Sequence, residues 1–203
     1  MSVAIAILAA GRGSRLGGDI PKPLVTLKGR SLLDHALVAA AASKLHPVFV
    51  VVGYQHEAIV STLPASVQPI YNYDWASGIG SSLRAALQAV ASHPSIEALC
   101  IGLADQPLIG SQSYRCLALA HERGATLAVA TYEGARRNPV LLSRCLWQEA
   151  MNLKGDRGAK VLMQDYPVVE VPCEGTGIPQ DIDTPEDFAK MREYFSSTIS
   201  TRS

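Results

Sequence analysis

The feature that most constrains the fold is an apolar run, Val3-Ala4-Ile5-Ala6-Ile7, delivered straight into a glycine-studded loop, Leu8 to Leu24 (LAAGRGSRLGGDIPKPL). A continuous short apolar run followed by glycines reads as a strand buried on both faces, the kind found in helix-covered parallel sheets. The loop carries Gly11, Gly13, Gly17 and Gly18, with Arg15 and Lys22 among them. Glycines let the backbone approach a ligand closely and turn its amides toward an anion. Arg15 can grip phosphate oxygens bidentately, and Lys22 brings a compact point charge. Both are expected to be loop cations with no part in the core. The stretch reads as a cradle for a nucleoside triphosphate.

Two better-known phosphate loops do not fit. The dinucleotide fingerprint requires a glycine three residues after Gly13, where Leu16 stands. The P-loop spacing finds Gly13 and Gly18 but then meets Asp19 in place of lysine. What remains resembles the nucleotidyltransferase signature L-A-A-G-x-G-x-R-x-G followed by P-K-P-L.

Composition narrows the class further. With 18 basic and 18 acidic residues in 203, the chain has no net charge to draw it to nucleic acid or to an anionic membrane. Cys100, Cys116, Cys145 and Cys173 lie far apart and do not cluster with the histidines, which argues against a zinc site. The apolar or amphipathic surroundings of three of them argue for small buried thiols in a reducing compartment. No apolar run is long enough to span a membrane. MSVAIAILAAGRG lacks the basic leader of a signal peptide, so a cytoplasmic protein is expected.

Strand and helix patterns alternate along the chain, which predicts one α/β domain over residues 1–195, followed by a polar tail over 196–203. Strands are expected at Val3–Leu8, Pro47–Val52, Val67–Tyr71, Ala98–Leu103, Thr126–Thr131, Pro139–Leu142 and Val168–Val171. Ser31 is placed to cap the first helix, and Pro185 to open the last, with Glu186 and Asp187 near its positive end.

Asp105 follows the apolar strand ALCIGL, at the carboxyl edge where open α/β sheets bind ligands. It can hold Mg²⁺ on a triphosphate, or it can open a turn with Pro107. In Asp181-Ile182-Asp183 both carboxylates would face one side of an extended segment. They could complete a metal shell or bind substrate, while Thr184 and Asp187 cap the closing helix. Gly78 and Ser82, in NYDWASGIGSSL, lie at a helix start that suits a nucleotide. Arg137 and Asn138, in RRNP, could bring polar groups to a phosphorylated second substrate, or form a solvated basic turn. Gly155-Asp156-Arg157-Gly158 is a turn or a substrate loop.

Taken in order, LAAGRGSRLGG…PKPL, NYDWASGIGSSL, ADQP, RRNPVLL, GDRGAKVL and DIDTPEDF resemble the MobA/MocA family of molybdenum-cofactor nucleotidyltransferases over nearly the whole chain. The A-A-G at Ala9-Ala10-Gly11 is similar to members that use CTP. The spacer before Pro21-Lys22-Pro23-Leu24 is also similar to sugar-phosphate nucleotidyltransferases. The resemblance implies a single-domain, Rossmann-like three-layer sandwich with a mostly parallel sheet, of the nucleotide-diphospho-sugar transferase type. It also implies Mg²⁺ on Asp105 and Asp183, and catalysis by Arg15, Lys22 and Asp105. Leu8, Ala9, Ala10, Gly11, Gly13, Arg15, Gly17, Lys22, Gly78 and Ser82 would bind CTP. Arg137, Asn138, Asp181 and Asp183 would meet a molybdopterin-type acceptor, with a molybdoenzyme maturation partner downstream. A sugar, alditol or aminoalcohol phosphate is the alternative acceptor. A nucleotide-binding module without turnover is the alternative of another class, and it would release no pyrophosphate.

Overall fold

A computed structural model describes residues 2–13, 20–152 and 159–200, with residues 160 and 195–200 described for their backbone alone. The elements run β1 (Ser2–Ala9), a 3₁₀ turn (Lys22–Leu24), β2 (Thr26–Leu27), β3 (Arg30–Ser31), α1 (Leu32–Ser43), β4 (Val48–Val52), α2 (His56–Val60) and β5 (Val67–Tyr71). They continue with α3 (Ile79–Ala91), β6 (Ile96–Leu103), α4 (Ser111–Glu122), β7 (Leu127–Tyr132), β8 (Ala135–Ser143), α5 (Trp147–Met151), α6 (Leu162–Asp165), β9 (Val169–Pro172) and α7 (Pro185–Ser200). The strand at residues 139–142 thus begins earlier, and the closing helix runs past Phe195 into the stretch expected to be a tail.

The seven-stranded sheet has the order β5-β4-β1-β6-β8-β7-β9. β1 pairs in parallel with both β4 and β6. β8 alone among the seven is reversed, pairing antiparallel with β6 and β7. Its reversal follows from a two-residue turn, Glu133-Gly134, whose φ values of 51° and 72° give the left-handed geometry that matches strand twist. The chain leaves β1 toward β4 on one side and returns to β6 on the other. The loops after β1 and β6 therefore splay apart and open a crevice at their carboxyl ends.

Alternation along the strands fills two cores. Val3, Ile5, Ile7 and Ala9 of β1 pack toward α1 and α4, while Ala4, Ala6 and Ala10 face α3 and α5. Ile5 and Ile7 are fully buried, worth roughly 1.5–3 kcal/mol each relative to exposure. Ser31 caps α1, its Oγ accepting from the Asp34 amide at 3.0 Å. A third, smaller core of Leu27, Leu32, Ile182 and Met191 pins α7 and the segment before it onto the β2–β3 hairpin. Among the described residues, no helix is long and apolar enough to cross a membrane.

Candidate active site

Ala9 ends β1, and Ala104 follows β6 beside it, its amide donating to the Leu8 carbonyl at 3.1 Å. This bond holds the two strand ends together below the point where their loops diverge. Gly13 has φ 63° and lies against the stem of Lys22, whose Cδ and Cγ would stand 2.7 and 3.0 Å from a Cβ at that position. Glycine is required there on both counts.

Pro21 and Pro23 flank Lys22, and the 3₁₀ turn bonds Leu24 N to Pro21 O at 2.8 Å and Val25 N to Lys22 O at 3.1 Å. Proline fixes φ, so this turn aims Lys22 inward rather than leaving it as a solvated loop cation. Lys22 is only 8% exposed. Its Nζ donates to Asp105 Oδ2 and to Asp183 Oδ1, each at 2.6 Å. The expectation that Lys22 has no part in the packed structure is therefore corrected. Burial pulls the ammonium down, but Asp105 and Asp183 outweigh it and hold its pKa above the usual lysine value.

The carboxylates come from distant segments that are tied at the backbone. Ile182 N donates to Asp105 O at 2.9 Å, and the Ile182 side chain anchors in the third core. Thr184 and Asp187 form a reciprocal cap on α7. Asp187 Oδ2 accepts from the amides of Asp183 (3.2 Å) and Thr184 (3.0 Å) and from Thr184 Oγ1 (2.8 Å). Thr184 Oγ1 accepts from Asp187 N at 3.2 Å. These bonds to the Asp187 carboxylate, above all from Thr184, hold its pKa below the ordinary range. One segment thus holds both the helix cap and the carboxylate that meets Lys22.

Two cavities meet here. A small one of about 190 Å³ is lined by Ala9, Gly11, Gly13, Lys22 and Asp105. A larger cleft of about 840 Å³ has an apolar wall of Ile79, Leu83, Ile101 and Val140, with Arg137, Asn138 and Asp181 among its polar residues. Leu8 and Asp183 line both. Arg137 and Asn138 reach the cleft where the β7–β8 register breaks between Val129 and Ala130, an irregularity of the kind that re-aims strand side chains.

Gln106, for which the sequence carried no signal beyond its place in ADQP, is 3% exposed and lines the larger cleft. Its Nε2 donates to Asp181 Oδ1 at 2.8 Å, while its buried Oε1 has no donor. Asp181 opens to solvent over part of its surface, yet burial of its carboxyl, and then the Asp105 charge, hold its pKa above the ordinary range. Ser82 is buried and accepts from Asn72 Nδ2 at 3.0 Å; neither it nor Gly78 lines the two cavities. Gly78 precedes α3 with φ 105°. Arg15, Gly17 and residues 155–158, expected to form a turn or a substrate loop, lie outside the described residues.

Asp105 and Asp183 can hold a hard divalent cation. Both direct an oxygen at one point, since each stands 2.6 Å from the same nitrogen. Their donor set is all oxygen, as Mg²⁺ prefers, and Mg²⁺ commonly uses one or two carboxylates with substrate phosphates. Among the described residues no three metal-ligating side chains cluster, so the remaining ligands would come from phosphate and water.

The chain is 30% identical over 198 residues to the nicotine blue oxidoreductase of Paenarthrobacter nicotinovorans, covering 91% of this chain and 94% of that one. It is 28% identical to the purine catabolism protein PucB of Bacillus subtilis, covering 93% and 95%. Among solved structures it resembles Rv0371c of Mycobacterium tuberculosis, with a TM-score of 0.80 and 26% identity over 95% of this chain and 99% of that one. A second structure of Rv0371c, described as a complex with manganese, superposes with a TM-score of 0.78 at 24% identity over 95% and 99%. A family model described as the MobA-like NTP transferase domain matches residues 5–171, and the chain belongs to that family.

Proposed function

We propose that this chain transfers CMP from CTP to the terminal phosphate of a molybdopterin-type acceptor and releases pyrophosphate. The observation that carries the reading is the junction of the two cavities at Leu8 and Asp183, beside Lys22 and Asp105. The small cavity suits a triphosphate among glycine amides and an ammonium. The larger cleft, lined by both apolar and polar side chains, suits a ring system that carries a phosphate.

The chemistry is an in-line displacement. An acceptor phosphate oxygen forms a bond to the α-phosphorus, and the bond from that phosphorus to the bridging oxygen breaks. The site contributes position and charge, with no covalent nucleophile. Lys22 neutralises charge that develops toward pyrophosphate, and Arg137 at the cleft wall meets the incoming phosphate. Asp105 and Asp183 would hold Mg²⁺, which when bound supplies Lewis-acid stabilisation of phosphate oxygens. Ala10 is 3% exposed, and its carbonyl accepts from the Tyr54 amide at 3.0 Å. Its methyl packs in the core and lines neither cavity, so the preference for CTP rests on the likeness of Ala9-Ala10-Gly11 to CTP-using members alone.

The test is pyrophosphate release measured with CTP, GTP, ATP and UTP against molybdenum-bound and metal-free molybdopterin. CTP-dependent release with either acceptor supports the reading. Release only with sugar or alditol phosphates assigns another acceptor, and no release with any pair removes the transferase reading.

The full-length likeness to a protein named as an oxidoreductase favours a second reading, in which the apolar wall of the cleft receives a flat heterocycle for reduction. Oxidation of reduced nicotinamide cofactors in the presence of planar dyes, without pyrophosphate release, would establish it.

A further inference from the structure

The position between Asp105 and Asp183 that suits a divalent cation already holds a cation, the Lys22 ammonium. We infer that Lys22 stands in for the metal in the nucleotide-free protein, so that this site takes a divalent cation only together with the nucleotide's phosphates. The inference rests on the nucleotidyltransferase reading and adds to it a rule for what the site admits.

The argument is one of exclusion and charge pairing. A metal bridging the two carboxylates would sit at about 2.0–2.1 Å from its oxygens, while Nζ lies 2.6 Å from one oxygen of each. An ammonium and a divalent ion cannot share that space, so the lysine must leave before metal enters. Lys22 is buried, and its ammonium gives up two charged partners on leaving, a cost that the partial exposure of the carboxylates reduces without removing. Free metal therefore competes poorly.

A metal-bound nucleotide removes that cost. The small cavity is bounded by Gly11, Gly13, Lys22, Asp105 and Asp183. Phosphates there would lie within reach of Nζ, whose stem rests against Gly13 and keeps the lysine in the same cavity as it turns. Lysine then passes to phosphate and the carboxylates to the metal. Every charge has a partner before and after the exchange. Metal-free nucleotide meets the converse penalty, because drawing Lys22 onto phosphate takes its positive charge from two carboxylates that line the same cavity as the phosphates. By linkage, each component must strengthen the binding of the other to the same degree.

The test uses the full chain and Mn²⁺ as the probe, followed by electron paramagnetic resonance, with the α,β-methylene analogue of CTP as the nucleotide. Without nucleotide, Lys22→Gln should bind Mn²⁺ at least about tenfold more tightly than the wild type, a coupling of ordinary size. Equal or weaker Mn²⁺ binding by Lys22→Gln overturns the inference, whether or not nucleotide binds. Should that variant fail to fold, the wild type decides alone. Its affinity for the analogue should rise at least about tenfold from EDTA to excess Mn²⁺, and an unchanged affinity overturns the inference. Failure to bind any nucleotide, with or without metal, instead overturns the reading of function. The nucleotide-free comparison then still decides whether lysine and metal compete.

Discussion

Lys22 and Asp183 are 161 positions apart in sequence and 2.6 Å apart in space. One proline-flanked turn near the start of the chain and one segment before the last helix thus meet through a single ammonium. Lys22 also bonds Asp105, so removing it leaves two carboxylates without their shared cation. Lys22→Ala should lower activity at least about tenfold and also destabilise the fold by about 1–3 kcal/mol, less than for a fully buried pair because both carboxylates are partly exposed. Urea unfolding with pyrophosphate release checks both. In the Asp183→Asn background the stability cost should shrink, and an unchanged cost would show that the pair is not coupled.

Two of the shifted groups at this site, Lys22 and Asp187, set opposite limbs of the pH dependence. Lys22 has a folded-state pKa above its ordinary 10.5, so its contribution is complete below that value and is lost as pH rises through the raised one. Asp187 has a folded-state pKa below 3.8, so its contribution is complete above that value and is lost as pH falls through the lowered one. Thermal melting should therefore fall at both extremes. Asp187→Asn should flatten the acid limb and Lys22→Gln the alkaline limb, each leaving the other in place.

Gln106 orients Asp181 from beneath. Gln106→Leu removes the 2.8 Å bond to Asp181 Oδ1 and should raise the KM for the acceptor by about tenfold, the size of one hydrogen bond to a charged group. The KM for nucleotide should stay within about twofold, since Gln106 lines only the larger cleft. Gln106→Glu would set a second carboxylate against Asp181 and should bind acceptor no better. A rise in both KM values after Gln106→Leu would mark a general loss of structure instead.

Gly177 crosses Leu108 and Gly110 where the C-terminal segment passes over the loop after β6. Its φ of 151° and a Cβ that would fall onto the Leu108 carbonyl oxygen both exclude a side chain. Gly177→Ala should destabilise by about 1–3 kcal/mol and weaken acceptor binding more than nucleotide binding. Calorimetry and the two KM values would show it. An unchanged melting temperature would mean that the crossing gives way freely.

Much of this was legible because local chemistry sufficed. The apolar run of β1, the serine cap on α1 and the Thr184/Asp187 cap are each written within a few consecutive residues. The reversed direction of β8 was not, since it depends on a Glu-Gly turn whose left-handed geometry the residue types only weakly specify. The burial of Lys22 was missed for a different reason. Glycines around a cation suggest an exposed loop, while the carboxylates that draw it inward lie 83 and 161 positions away. Gln106 gave no signal because its partner, Asp181, is 75 positions distant. Residue order shows which groups a segment carries, and only the fold shows which of them meet.

The third core has a consequence for how the protein opens. Four fully or nearly buried side chains, Leu27, Leu32, Ile182 and Met191, hold the segment that carries Asp181 and Asp183. The sheet beneath draws on two far larger apolar clusters. A patch so small gives way at a lower free energy than the sheet does. Amide protons of α7 should therefore exchange ahead of those in β1 and β6. The segment that carries Asp181 and Asp183 should then loosen before the sheet does, once its bonds to the loop after β6, Ile182 N to Asp105 O and Ile178 N to Leu108 O, give way.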